Sequence, residues 1–138
     1  MVEFATVTAA LSLLASSLSG LQARILERLA GSNAVAVQQA VIEAKASHVS
    51  PAAARSAYAR APYRKPALRY VYATGWVAGS KNQTSCILAK LDIEGTTALA
   101  IKAIRALPAT LKQLHHLHLT AVQAGNAFTR GYVSACGG

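Results

Sequence analysis

The sequence predicts a mainly α-helical bundle, with a long N-terminal helix and a small β-hairpin at about residues 67–93. Three observations support this prediction. Alanine, the best helix former, occurs 30 times among the 138 residues, against two Phe and one Trp. Apolar residues recur at helical spacing along most of the chain. Ser–Pro and Gly or Pro stand where helices are expected to begin and end. The length is that of one ordinary domain, residues 1–138.

A long helix is predicted over about residues 3–30, ending before Gly31. One side of it is an apolar seam with heptad spacing, which suits packing inside a bundle or docking on helices of other subunits. Residues 4–23 are uncharged and long enough to span a bilayer, but their Ser, Thr and Gln content favours burial against protein. The seam consists of Phe4, Val7, Leu11, Leu14, Leu18, Leu21 and Ile25.

Two shorter helices are predicted next. The first covers about residues 34–46 and is capped by Ser32 or Asn33. The second covers about residues 51–61, because Ser50 followed by proline is a strong start signal and Pro62 cannot continue a helix. The segment 62–66, PYRKP, is bounded by prolines and is predicted to be a loop.

Residues 67–93 are predicted to form the hairpin. Leu68, Tyr70, Tyr72, Thr74 and Trp76 occupy alternate positions, which is the periodicity of a strand, and GSKNQ provides a turn before the segment TSCILAKLDI. A lone hairpin is marginally stable unless it packs on helices. The helical alternative stays open at this stage, because Gly75 and Gly79 form a G-x-x-x-G pattern.

The C-terminal third is predicted to be helical. Thr96 or Thr97 would cap a helix that ends at Leu107, and Pro108 would kink it or start the next one. A helical face then continues up to Gly125, and the tail adds a short final turn.

The chain contains far more basic than acidic residues, 14 Lys and Arg against five Asp and Glu. The formal net charge is +9 and the isoelectric point is about 10.1. Eight cations and no acid lie between Glu43 and Asp92, so the candidate partners are nucleic acid, anionic lipid or an acidic protein surface. Mean hydropathy is +0.31 and only 14% of residues are charged, against about 25% in typical proteins. This composition favours a protein partner that covers apolar surface.

Five cations concentrate in residues 55–69, and four tyrosines, Tyr58, Tyr63, Tyr70 and Tyr72, lie among them or directly after them. Such a cluster could hold phosphates and stack on bases. In the other interpretation the aromatic residues pack in the core, which we favour for Tyr70, Tyr72 and Trp76, while Arg60, Arg64 and Lys65 contact an anionic surface. The candidate anion- or partner-binding residues are Arg55, Arg60, Arg64, Lys65 and Arg69.

No catalytic or metal-binding signature stands out. His115, His116 and His118 lack a nearby carboxylate or cysteine, so no metal site is predicted. Asp92 and Glu94 are expected to be surface or helix N-terminal acids rather than a catalytic pair. The only cysteines, Cys86 and Cys136, are expected to be free thiols in a reducing compartment. We therefore do not expect an enzyme, a cofactor or a small-molecule substrate.

Taken together, these features predict a non-catalytic accessory or assembly subunit of a larger protein complex, docking through helices and a basic loop. The alternative is a nucleic-acid-binding protein of ribosomal or phage regulatory type that contacts the phosphate backbone. The expected partners are other protein subunits, with nucleic acid or anionic lipid as the alternatives. The expected location is intracellular, either cytoplasmic or organellar, with membrane association left open and secretion not expected.

Overall fold

The computed structural model describes residues 32–136, in which there are seven helices and no strand. The prediction of a mainly helical chain is confirmed. The predicted N-terminal helix and its seam lie outside the described residues. The helices are α1 (Asn33–Ala46), α2 (Pro51–Arg60), α3 (Pro66–Lys81), α4 (Gln83–Leu91), α5 (Ile93–Arg105), α6 (Pro108–His116) and α7 (Ala121–Ser134).

Helices α1 and α2 begin where the capping signals predicted. The Ser32 hydroxyl accepts a hydrogen bond from the Val35 amide at 3.2 Å and caps α1. Ser50 caps α2 in the same way, with proline at the first helical position. The loop between α2 and α3 covers residues 61–65, and α3 itself starts at Pro66.

The predicted hairpin at 67–93 is wrong, because this segment forms most of α3, all of α4 and the start of α5. Helix α3 lies at the centre of the fold, packed against α7 and against α1 and α2. It is therefore buried on almost every side, and only Lys81 is exposed. A helix buried all round has no polar side, so its sequence lacks the helical period that would distinguish it from a strand.

Glycines allow α3 and α7 to approach each other closely. A Cβ atom at Gly75 would collide with the Phe128 carbonyl oxygen, and one at Gly131 would collide with the Tyr72 carbonyl oxygen. Gly79 lies equally close to the Tyr132 carbonyl. The G-x-x-x-G pattern thus forms the α3 side of this contact, and Gly131 forms the α7 side. The two backbones meet there without intervening side chains.

The C-terminal helices also differ from the prediction. Helix α5 begins at Ile93, capped by the Asp92 carboxylate, which accepts from the Gly95 amide at 2.9 Å. Asp92 and Glu94 are therefore helix N-terminal acids, one of the two roles expected for them, whereas the predicted cap at Thr96 or Thr97 is wrong because both residues lie inside the helix. The predicted continuous face up to Gly125 is interrupted by a turn at residues 117–120, and Thr120 starts α7 with a capping box. The expected short final turn is in fact a helix of 14 residues.

A disulfide joins Cys86 on α4 to Cys136 beyond the end of α7, with Cα atoms 5.9 Å apart. The expectation of free thiols is therefore wrong. The two cysteines are separated by 50 positions, so only the packing of α4 beside the end of α7 brings them together. No helix within residues 32–136 has the length and apolarity needed to cross a membrane.

Replacing His48 with glycine should stabilise the protein by about 0.5 to 1 kcal/mol, because His48 has a φ of 57° and non-glycine residues are strained in this left-handed region. His48 follows the end of α1, where the Val49 amide donates to the Ala44 carbonyl at 2.8 Å, a position that favours glycine. Thermal unfolding would measure the gain. Ser47→Gly is the control, since Ser47 has a φ of −96° and should gain nothing. A lower melting temperature for His48→Gly would contradict the prediction.

Candidate anion-binding surface

Four of the five predicted cations are exposed. Arg55 and Arg60 lie on α2, and Arg64 and Lys65 follow in the loop that leads into α3. The sequence contains no acid between Glu43 and Asp92, so no neighbouring residue in this segment neutralises them. We call Arg55, Arg60, Arg64 and Lys65 the basic surface.

The basic surface reaches a second part of the chain through Lys65. Its ammonium group donates a hydrogen bond to the carbonyl oxygen of His118 at 3.2 Å. His118 lies in the turn between α6 and α7 and has a φ of 60°, so its backbone is strained. The sequence could not show this contact, because 53 positions separate the two residues.

Three exposed histidines therefore lie at or next to the turn that Lys65 contacts. His115 and His116 end α6, and His118 is within the turn. Among residues 32–136, no group of three side chains of metal-ligand type is close enough to hold a metal ion. Of the three histidines, His118 contacts Lys65, and it does so through its backbone carbonyl rather than its side chain.

Arg69 differs from the other four cations. It is only partly exposed, and its guanidinium lies over the ring of Tyr58, 5.4 Å from the ring centroid. Burial raises the pKa of Tyr58, whereas the nearby Arg69 charge acts in the opposite direction. Arg69 therefore holds α3 against α2, and we leave it out of the basic surface.

The interleaved tyrosines are structural. Three hydroxyl groups bond across helices: Tyr58 to Asn33, Tyr70 to Glu43, and Tyr72 to Ser134, with donor–acceptor distances of 2.6, 3.0 and 3.2 Å. Tyr58, Tyr70 and Tyr72 are buried, which confirms the expectation for the last two. Tyr63 is half-buried and packs edge-on against Tyr72, with ring centroids 6.3 Å apart. Tyr58, Tyr70 and Tyr72 are therefore not available for stacking on a base.

Glu43 is the acid nearest to the cluster in sequence, but its carboxylate points towards Tyr70 rather than towards the basic surface. It accepts the Tyr70 hydroxyl proton at 3.0 Å. Burial first, and then the Glu43 charge, raise the pKa of Tyr70 far above its ordinary range. Tyr70 therefore remains a hydrogen-bond donor, and Glu43 is used in joining α1 to α3.

Comparison of the chain with protein-family models, with curated proteins and with solved structures gave no match. Function must therefore be inferred from the charge and geometry of the described residues.

Proposed function

We propose that the protein is a non-catalytic accessory or assembly subunit whose basic surface binds an acidic patch on a partner protein. The observation that supports this most strongly is the placement of Arg55, Arg60, Arg64 and Lys65. All four are exposed on α2 and the loop after it, with no acid between positions 43 and 92. Charges arranged in this way attract an oppositely charged surface and speed association.

A protein partner fits better than a nucleic acid. Three of the four tyrosines in the cluster, Tyr58, Tyr70 and Tyr72, are buried within the fold and cannot stack on bases. The exposed side of α2 also presents Ala52, Ser56 and Ala59 between its arginines, rather than the amide side chains that read base edges. Non-specific contact with phosphates through the same cations remains the alternative function.

The disulfide gives information about the cellular compartment in which the protein resides. The intracellular location expected from the sequence depended partly on free thiols, whereas disulfides form and persist in oxidising environments. Cys86 and Cys136 are both buried, so the bond is shielded from reductants in the folded protein. We therefore favour an oxidising compartment, and with it a partner that meets the protein there.

Mutating Arg60, Arg64 and Lys65 together to Gln should weaken partner binding while leaving the melting temperature almost unchanged, because exposed charges contribute little to stability. Polyglutamate, duplex DNA, single-stranded RNA and anionic vesicles serve as defined probes, each titrated at several salt concentrations. The matched control replaces three other exposed cations, Lys102, Arg105 and Lys112, with Gln and removes the same net charge. It should bind nearly as well as the wild type.

The probes distinguish the two functions. Preferential binding to polyglutamate, lost in the basic-surface variant, supports a protein partner. Preferential binding to DNA or RNA supports the alternative, and the log–log salt slope should then fall by about two to three units in the variant. The proposal fails if both triple variants lose binding equally, since net charge alone would then explain the affinity. The mass and absorbance ratio of the natively purified particle provide an independent measurement.

A further inference from the structure

Helix α4 turns an apolar side towards solvent. Ile87 is 52% exposed, Leu88 38% and Leu91 80%, whereas Cys86 and Ala89 on the other side are buried. Thr84, Ile87, Leu88 and Leu91 follow the spacing that places residues on one side of a helix. Ile93, the first residue of α5, is also 48% exposed. We call Thr84, Ile87, Leu88 and Leu91 the α4 stripe.

The charges around the α4 stripe differ from those on the rest of the surface. The described residues contain three carboxylates, and the first, Glu43, is half-buried and bonded to Tyr70. The other two, Asp92 and Glu94, are exposed directly after the C-terminal end of α4. Lys81 is exposed just before its N-terminal end. Lys90, exposed on α4 near the same end as the two acids, donates to the Cys136 carbonyl oxygen at 3.4 Å. The stripe therefore has one positive charge at its N-terminal end, from Lys81, and a net charge of −1 at its C-terminal end, from Lys90, Asp92 and Glu94.

This arrangement is complementary to itself. If two copies pack their α4 helices antiparallel about a two-fold axis, the cationic end of each helix meets the acidic end of the other. If the two-fold axis passes between Ile87 and Leu88, Ile87 of each copy lies opposite Leu88 of the other. The same axis places Thr84 beside Leu91 of the other copy, and the Lys81 end of each α4 beside the end of the other that is followed by Asp92 and Glu94. Elsewhere the chain is strongly cationic, so two copies would repel each other on other surfaces.

We propose that the α4 stripe is a homodimer interface, and that its occupant is the α4 stripe of a second copy. An anionic membrane fits less well, because Asp92 and Glu94 flank Ile93 and would be pressed against negatively charged headgroups. The interface consists of one short helix and its flanking residues from each copy. Such a small interface is typical of weak dimers that dissociate readily. We expect a dissociation constant on the order of micromolar.

Sedimentation equilibrium of the intact chain at low salt, over about 1 to 200 µM, would measure this association. Ile87→Asp places two carboxylates next to the two-fold axis and should weaken the dimer at least about tenfold. Leu91→Ser, at the most exposed position, should also weaken it with little risk to the fold. The matched control is Ile42→Asp, where the isoleucine is 50% exposed on α1, a helix that packs against α2 and α3. It should leave the dissociation constant unchanged.

A charge exchange tests the predicted orientation. Lys81→Glu and Glu94→Lys should each weaken the dimer by about three- to tenfold at low salt, because each places like charges together at both ends of the interface. The double variant Lys81→Glu/Glu94→Lys should recover the wild-type dissociation constant. Recovery requires that the two residues meet across the interface, which non-specific hydrophobic association does not provide.

Several results would overturn the proposal. The first is a wild-type chain that stays monomeric at about 200 µM. The second is a dimer that Ile87→Asp and Ile42→Asp weaken equally. The third is a double charge variant that dimerises no more tightly than the single variants, which would exclude the antiparallel arrangement. Binding of a monomeric chain to vesicles containing phosphatidylglycerol, abolished by Leu91→Ser, would instead assign the stripe to a membrane surface.

Discussion

Replacing Gly131 with alanine should destabilise the protein by about 3 kcal/mol, although alanine is the better helix former by about 1 kcal/mol. The added methyl group would collide with the Tyr72 carbonyl oxygen in α3, which is backbone and cannot rotate away. Helices α3 and α7 would have to separate, and the buried residues between them would lose contact. Gly75→Ala should behave similarly, because its Cβ would meet the Phe128 carbonyl.

Urea unfolding followed by circular dichroism would measure these free energies of unfolding. Gly95→Ala is the control, since Gly95 is also helical but its Cβ would meet only the movable side chain of Asp92. There the gain in helix propensity and the disturbance of the Asp92 cap should nearly cancel, within about 1 kcal/mol. Equal losses at Gly95 and Gly131 would show that the close approach of α3 and α7 is not what makes Gly131 necessary.

Loss of the disulfide should be the second large effect. The bond closes a loop of 50 residues, and the chain-entropy model assigns roughly 4 kcal/mol to a loop of this length. Domains of this size are stable by only about 5 to 15 kcal/mol, so much of the stability would disappear. The variant Cys86→Ala/Cys136→Ala should therefore melt at a clearly lower temperature. Ala is chosen because both cysteines are buried among apolar residues.

Adding reductant separates the disulfide from the side chains themselves. Wild-type protein should lose a similar free energy of unfolding in reductant, while the double alanine variant should be unaffected by it. Thiol labelling of denatured, unreduced protein should find no free cysteine. Two reactive thiols in freshly purified protein would contradict the disulfide, and the proposed oxidising compartment would lose its support.

Local signals in the sequence were sufficient for much of the helical architecture. Ser32 and the Ser50–Pro51 pair act within one turn of the backbone, so α1 and α2 could be predicted with their starts. Pro108 begins α6, which was one of the two alternatives. Asp92 caps α5, a role consistent with one of the two expected for it, although Thr96 or Thr97 is the cap that the sequence predicts. In each case the controlling interaction is local and visible in a short stretch of sequence.

Features that depend on packing could not be predicted in this way. Helix α3 looked like a strand because neighbours on several sides bury nearly all of it. The pairing of Cys86 with Cys136 and the contact of Lys65 with His118 join residues about 50 positions apart. For the α4 stripe the signal was present, since its four residues follow helical spacing. The hairpin prediction hides this pattern, because in a strand these four residues would be divided between its two faces.

The close contact of α3 with α7 has a consequence for amide hydrogen exchange. Because the two backbones touch at Gly75 and Gly131, these helices cannot separate without global unfolding, and their central amides should exchange slowest. Helix α2 buries only Ala54, Ala57 and Tyr58 of its ten residues, so it should open locally and exchange sooner. The basic surface therefore lies partly on an element that can adjust to a partner while the central pair of helices stays intact.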